Sequence, residues 1–276
     1  MDQGIRLFDN LAIFILVVAL IALFAALAGS VGIGGGAFFG PILILFGGLS
    51  IFVSVPLAVS ATVGVGLAST IVNAKKKTIN YRMALILEPF TILGTIVGVQ
   101  LHLSAPESII ALIFSCILYF ITLRSYTRAR KIKKLIDENN GNSKDLNFTK
   151  GFINKKYVLL GISGAFTAGV ISALIGIGGG LIKVPLMNEL GLSPIISSGT
   201  GSFMVLFTST ATIFQYFLYN KLDISYGLVF FVIGFIASFG GTLLARYIDR
   251  PEVTQYLLTM AIAGASLLIT LKFLFP

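Results

Sequence analysis

Two glycine clusters constrain the fold of this chain more than any other feature. Each cluster ends a long apolar run, begins a shorter one and is followed by a proline five residues after its last glycine. They are Gly34, Gly35 and Gly36 with Pro41, and Gly178, Gly179 and Gly180 with Pro185. Glycine tolerates unusual backbone dihedrals and has no side chain, so such a cluster interrupts a helix and lets a ligand approach the main chain.

The apolar runs have the length and composition of membrane segments. The chain is 56% hydrophobic and 11% charged, with a mean hydropathy of +0.97, and about twenty apolar residues cross a bilayer as a helix. Non-helical backbone at membrane depth persists only where protein buries it or where it lines a cavity. The sequence therefore predicts an all-α polytopic membrane protein of about eight transmembrane segments, with its site at the glycine clusters.

The chain divides into two repeats and a basic linker. We predict a first transmembrane repeat over residues 1–123, a linker over 124–156 and a second repeat over 157–276, each repeat opening with a glycine-broken helix. A constant offset overlays the glycine clusters, and a shorter loop then brings Thr62 onto Thr200. Internal repeats with interrupted segments at matching positions are typical of transporters, and the interruptions mark the binding site.

The basic residues predict the orientation of the chain. Most of the 20 Lys and Arg residues lie in segment 75–82 and in the linker, and they share one side of the membrane if each repeat crosses four times. The positive-inside rule then places both termini and the linker in the cytoplasm of a multi-pass cell-membrane protein. Four crossings is an even number, so the second repeat would start on the same side as the first, which predicts parallel repeats. Segment 37–49 is too short to span alone, and half-helices that re-enter instead of crossing would change this count. The linker is expected to contact anionic lipids and not nucleic acid.

The two breaks are expected to bind an anion. The start of the second half-helix presents unpaired N–H groups and the positive end of a helix dipole. Lys183 lies one turn after Gly180, and a lysine so deep in an apolar segment needs a cavity or a partner. It is predicted to contact an anionic substrate. The alternatives are an ion pair with Glu189 or a side chain that extends to the interface. The matching position of the first repeat is Phe39.

Three further side chains are candidates for the transport cycle. Glu88 precedes Pro89 within an apolar run, which makes it the proton-coupling candidate. The alternative is a solvated helix end, because Arg82 is close in sequence. Thr62 and Thr200 are candidate donors to the substrate, and the alternative is that their hydroxyls bond to their own backbone.

Enzymatic and cofactor-dependent functions have little support. The single His102 and the single Cys116 cannot form a metal site or a catalytic triad. A phosphate-binding glycine loop needs a preceding strand in a soluble unit, and here both flanks are apolar runs of membrane length. We predict no enzyme activity, no metal and no cofactor.

The doubled Gly-x-Gly-Gly-Gly-x-x-x-x-Pro pattern, with the basic linker and about eight spans, resembles the TauE/SafE family of sulfite exporters and related anion permeases. The resemblance implies secondary transport of small sulfur-containing anions such as sulfite, thiosulfate or sulfonates such as sulfoacetate, with proton coupling as an option. It supports the glycine clusters, Thr62 and Thr200 as site residues. It does not extend to Lys183 or Glu88. An anion channel and a non-transporting membrane assembly or receptor protein are the alternatives, and the sequence leaves homo-oligomer formation open.

Overall fold

A computed structural model describes residues 11–31, 34–117, 119, 120, 122, 123 and 155–244. The helices of these ranges are α1 Leu11–Val31, α2 Gly36–Leu45, α3 Ile51–Lys75, α4 Tyr81–Ser104, α5 Glu107–Ile117, α6 Lys155–Ile175, α7 Gly180–Glu189, α8 Pro194–Leu218 and α9 Ile224–Leu244. No β-strand occurs within the described ranges. Five of these helices, α1, α3, α4, α8 and α9, are long and apolar enough to cross a membrane. The chain is an all-α polytopic membrane protein.

Local sequence signals set several helix starts. The side chain of Asn80 accepts a hydrogen bond from the Met83 N–H at the start of α4, and the Asp223 carboxylate accepts from the Ser225 N–H before α9. Asn and Asp are favoured there because they satisfy N–H groups that have no partner inside the helix.

Helix α2 does not continue the path of α1 but folds back against it. The rings of Phe24 and Phe38 stack with their centroids 4.7 Å apart, and a Cβ built on Gly35 would lie 3.0 Å from the Ala28 Cβ. In a continuous helix, Phe24 and Phe38 would be about 20 Å apart along the axis. Helices α1 and α2 therefore form a re-entrant hairpin.

The second glycine cluster forms the same kind of hairpin. A Cβ on Gly164 of α6 would meet Leu186 of α7, and one on Gly161 would meet Leu190, just after α7. Because contacts progress towards the start of α6 as α7 proceeds, the two helices are antiparallel. The re-entrant alternative therefore describes both half-helices.

The two repeats are inverted relative to each other. Helices α3 and α8 correspond, because both contain 25 residues and both have a serine as N-cap, Ser50 and Ser193. They run antiparallel: the Asn73 side chain near the end of α3 donates to the Ser202 hydroxyl near the start of α8. The prediction of parallel repeats is wrong, because α2 and α7 return instead of crossing and so change the parity of the count.

This arrangement also changes the side on which the chain begins. We use "linker end" for the end of the bundle at which α3 ends and α4 begins. Helix α6 begins at the linker end, since it runs parallel to α4, with Gly161 beside Leu87 and the Leu174 carbonyl 2.8 Å from His102 Nδ1. Helix α1 begins at the opposite end, because it is antiparallel to α2, which leads into the start of α3. The starts of α1 and α6 therefore lie at opposite ends of the bundle, whereas the prediction placed the N-terminus and the linker on one side; residues 1–10 lie outside the described residues. The C-terminus and linker residues 124–154 lie outside the described residues.

Glycines allow the long helices to approach closely. A Cβ on Gly64 or on Gly234 would overlap the backbone of the facing helix at the α3–α9 crossing. Gly94 and Gly169 have the same role between α4 and α6. Small residues are favoured at such crossings because lipid supplies no hydrophobic force between helices. A Cβ on Gly241 of α9 would likewise overlap the backbone of α1 at Ala26, so each hairpin packs closely against a long helix.

Candidate functional site

The turns of the two hairpins have the same backbone conformation. The N-cap residues of α2 and α7, Gly35 and Gly179, have φ angles of 74° and 73°. The preceding glycines, Gly34 and Gly178, have φ angles of 88° and 70°. Side chains other than glycine are strained in this left-handed region. We call residues 34–36 and 178–180 the two tips, and all six residues are buried.

The two tips converge in the middle of the bundle, where the first tip lies against Ile177, the residue before the second tip, and both tips lie against Thr62 and Val205. A Cβ on Gly36 would lie 2.7 Å from the Ile177 Cα. A Cβ on Gly34 would lie 2.8 Å from Val205 Cγ1, and one on Gly178 would lie 2.5 Å from Thr62 Cγ2. Among the residues selected from the sequence, the fold thus brings Thr62 to the six glycines of the tips.

The tips offer hydrogen-bond donors to a ligand. Helix α2 begins at Gly36 and α7 begins at Gly180. The first N–H groups of a helix have no acceptor within it, and the aligned peptide dipoles make this end partly positive. Two such ends meeting at one place favour an anion as the ligand.

Two hydroxyl groups lie beside the tips. Thr62 Oγ1 donates to the Ala58 carbonyl at 2.8 Å, as the backbone-bonding alternative anticipated. Ser209 Oγ is buried without a hydrogen-bond partner and would lie 3.2 Å from a Cβ on Gly178. Sequence reasoning missed Ser209. The signal that could have found it is its position one helical turn after Val205, on the face of α8 that meets the tips.

Thr200 does not belong to this site. Its Oγ1 accepts a hydrogen bond of 2.9 Å from the Asn80 N–H, so it stabilises the turn between α3 and α4 at the linker end. The overlay of Thr62 on Thr200 is wrong, because it assumed a loop several residues shorter in the second repeat, whereas the connection 190–193 is one residue shorter than the connection 46–50. With the helices aligned by their N-caps, Thr62 corresponds to Val205 and Thr200 to Leu57.

Lys183 and Glu88, which the sequence presented as separate candidates, form a buried ion pair. The Lys183 Nζ lies 3.3 Å from Glu88 Oε2 and donates to the Met204 carbonyl, also at 3.3 Å. The Thr208 hydroxyl bonds to both charged groups. The side chains of Lys183 and Glu88 are 1% and 8% exposed. Glu88 is therefore not a solvated helix end, and the charge of Lys183 is already compensated.

This polar cluster lies next to the second tip. Lys183 Cε would be 3.1 Å from a Cβ on Gly179, so the lysine side chain passes directly over that glycine. Ser209, beside Gly178, follows Thr208 in the chain. Helix α4 supplies the acid, α7 the base and α8 the hydroxyl. The cluster therefore connects the second hairpin to the long helices.

The residues of the first repeat that correspond to this cluster are apolar. Phe39 follows Gly35 by four residues, as Lys183 follows Gly179. Aligned by the N-caps, Thr208 corresponds to Val65 and Glu88 to Phe231. Phe39, Val65 and Phe231 carry no charge. The site is thus symmetric in its backbone and asymmetric in its chemistry.

A cleft of about 260 Å³ runs between α6 and α7 on the outside of the second hairpin. Its lining comprises Leu160, Ser163, Gly164, Thr167, Ile182, Leu186 and Glu189. None of the six glycines of the tips lines this cleft, and all six are buried. Within the described residues, no group of three or more His, Cys, Asp or Glu residues is placed to hold a metal ion.

Comparison with known proteins decides the family. A family model described as "Sulfite exporter TauE/SafE" matches residues 15–273 of the chain. The chain belongs to this family. This membership confirms the resemblance seen in the glycine pattern. TauE/SafE is a family of membrane transporters and not of enzymes.

Individual TauE/SafE relatives match over different lengths. "Sulfite exporter TauE/SafE family protein 6" of Arabidopsis thaliana is 24% identical over 92% of this chain and 79% of its own length. "Sulfite exporter TauE/SafE family protein 1" of the same plant is 31% identical, but over 38% of this chain and 24% of that protein. The "Probable membrane transporter protein YunE" of Bacillus subtilis (strain 168) is 29% identical over 34% of this chain and 36% of its own length. The chain thus spans about a quarter of family protein 1. No solved structure matches it.

Proposed function

We propose that this chain is a secondary transporter of small sulfur-containing anions such as sulfite, thiosulfate or a sulfonate, coupled to protons. The substrate binds between the two tips. The observation that carries this proposal is the convergence of the two tips on Thr62 and Val205, where two helix N-termini of matching geometry lie close together. The TauE/SafE membership supports the substrate class.

The inverted repeats support transport by alternating access. In transporters built this way, the substrate site lies at the repeat interface and one half moves against the other. Both tips are buried here, so an anion reaches them only after a hairpin moves away from its long helices. We place the linker end in the cytoplasm, because Lys75, Lys76, Lys77 and Arg82 lie there and α6, which follows the basic linker, begins there. The linker then faces the anionic lipids of that leaflet.

The second candidate function is an anion channel, which the same helix N-termini would support. The buried tips favour the transporter, since a channel needs a continuous pore. Counterflow separates the two in proteoliposomes loaded with unlabelled anion. A transporter transiently accumulates labelled external anion, and a channel does not. Binding of an anion with no flux at all would favour a receptor or assembly protein.

A binding screen identifies the substrate first. Purified protein is titrated with sulfite, thiosulfate, sulfoacetate, taurine and sulfate, and affinity is measured by calorimetry or thermal shift. The proposal expects at least one singly or doubly charged sulfur anion to bind and to show counterflow. Binding of none of them would contradict it.

A matched pair of glycine variants then tests the site. In Gly178→Ala the new Cβ overlaps Thr62 and the φ of 70° is unfavourable, whereas Gly240 in α9 has no atom within 4 Å of its Cβ position. Strain of this kind amounts to about 1–3 kcal/mol. We expect Gly178→Ala to lose binding by at least tenfold and Gly240→Ala to bind as the wild type does. Equal affinity in the two variants, with both monodisperse on gel filtration, would move the site away from the tips.

A further inference from the structure

An anion that binds Lys183 at the second tip leaves the negative charge of Glu88 without its partner. With no ligand, the cluster is neutral, because one ammonium faces one carboxylate at 3.3 Å. An anion that engages Lys183 adds a negative charge within a few ångströms of Glu88. An unpaired buried carboxylate is strongly unfavourable, and more so beside a second negative charge.

No other described cation can neutralise Glu88. On α7 the group facing it is Lys183, and on α8 it is Thr208, which does not titrate. On α6, the residue beside neighbouring Leu87 is Gly161. Glu189 lines the cleft on the other side of α7. The remaining Lys and Arg residues of the described part lie at helix ends or in connections, at positions 75–77, 82, 155, 156 and 221. Protonation of Glu88 itself removes the unpaired charge without any other group of the protein.

The Thr208 hydroxyl has partners for both states of the acid. Its one proton is shared between Glu88 Oε1 and the Met204 carbonyl, which lies 2.8 Å away. When Glu88 carries a proton, the carboxyl O–H can donate to Thr208 Oγ1, and Thr208 can donate to Met204. Lys183 can then move away from Glu88 while Glu88, Thr208 and the Met204 carbonyl keep their hydrogen bonds to one another.

We propose that the Lys183–Glu88 pair is a latch that couples one proton to each transported anion. This inference rests on the proposed anion transport. On the side where the site opens, Lys183 exchanges Glu88 for the anion, and Glu88 takes one proton from water to form a carboxyl O–H bond. On the other side the anion leaves, the proton returns to water, and the ion pair forms again.

The chemistry of the first tip fixes the number of protons. Phe39, Val65 and Phe231 occupy the places that correspond to the latch, and they cannot titrate. Within the described residues, the two tips therefore offer one titratable pair, and the latch carries one proton per cycle. A singly charged anion then crosses without net charge, and a doubly charged anion carries one net negative charge per cycle.

Proteoliposomes containing the whole chain test this directly, with methanesulfonate as the singly charged probe, thiosulfate as the doubly charged probe and sulfite as a third anion. Proton movement is followed with an internal pH dye and charge movement by solid-supported membrane electrophysiology. We expect one proton per anion, no current with methanesulfonate and an inward negative current with thiosulfate. Infrared difference spectra should show a protonated carboxylic acid when a probe binds the wild type.

Three variants assign the proton to Glu88. Glu88→Gln should still bind the probe but move no proton and lose the carboxylic-acid band. Lys183→Met should lose binding, and the double variant Glu88→Gln with Lys183→Met should fold, because it restores neutrality, and still not bind. Anion flux without proton movement in the wild type, or proton movement that persists in Glu88→Gln, would overturn the latch and leave anion transport standing. Failure of the wild type to bind any of the three probes would contradict the proposed function itself. The infrared test needs no variant, so a misfolded variant cannot leave the question undecided.

Discussion

Lys77 and Asn220 both adopt left-handed backbone, with φ angles of 54° and 53°, and they lie at opposite ends of the bundle. Lys77 follows α3 and Asn220 follows α8, the antiparallel pair of equivalent helices. Apart from glycines, these are the two described residues with positive φ. The same turn therefore recurs on both faces of the membrane, as inverted repeats require.

The topology can be checked at these two positions. Single cysteines replace Lys77 and Asn220, both exposed, in a chain with Cys116→Ser. An impermeant thiol reagent added to intact cells should label position 220 and should label position 77 only after permeabilisation. Labelling of both positions in intact cells, or of neither, would contradict the inverted arrangement, and reversal of the two would contradict the orientation.

The unpaired hydroxyl of Ser209 gives a second prediction. Removing it should not destabilise the protein, because it makes no hydrogen bond in the ligand-free fold. If it donates to the bound anion, Ser209→Ala should weaken binding about two- to tenfold, which corresponds to one hydrogen bond of about 0.5–1.5 kcal/mol. Thermal unfolding and calorimetric affinity measured on the same preparation decide this. Lower stability with unchanged affinity would show that Ser209 has a structural role only.

Thr62 and Thr200 should separate into a site residue and a structural residue. Thr200→Val leaves the Asn80 N–H without its acceptor and should cost about 1–3 kcal/mol of stability. It should leave anion affinity unchanged. Thr62→Val keeps the side-chain shape, loses only a bond to its own helix and should reduce affinity while stability stays close to that of the wild type. Reduced affinity in Thr200→Val together with unchanged affinity in Thr62→Val would show that Thr200, and not Thr62, belongs to the site.

The buried ion pair should behave as a unit in unfolding experiments. Lys183→Met leaves Glu88 without its partner and should destabilise the protein by about 3–5 kcal/mol. The double variant with Glu88→Gln should recover most of that loss, because it removes both charges together. A double-mutant cycle of apparent unfolding free energies in detergent measures this. Additive losses in the double variant would mean that the two side chains do not interact.

Much of the helical content could be predicted from the sequence. The apolar run at 11–31 became α1, and the glycine clusters mark the starts of α2 and α7, because interruptions of apolar runs are local signals. The direction of α2 and α7 could not be predicted. A half-helix that crosses and one that folds back have the same composition, and the contact between Phe24 and Phe38 that distinguishes them depends on the tertiary fold.

Only part of the site could be predicted, because only part of it depends on residues that are adjacent in the sequence. The tips are defined by adjacent glycines, whereas the Lys183–Glu88 contact joins residues 95 positions apart. Both residues were selected because charges are costly at membrane depth, and nothing local indicated that they would pair. The overlay of Thr200 on Thr62 was wrong because the alignment used too large a gap before α8. Helices α3 and α8 have equal length and align from their N-caps.

The Phe39, Val65 and Phe231 set has a consequence for the resting state of the molecule. When equivalent halves run in opposite directions, exchanging their local conformations converts an outward-facing form into an inward-facing one. If both hairpins were chemically identical, the two forms would have equal energy. One hairpin has a charged pair at this place and the other has an apolar set, so the two forms differ in energy. In the proposed cycle, the proton concentration on the side that reaches Glu88 then determines how far they differ.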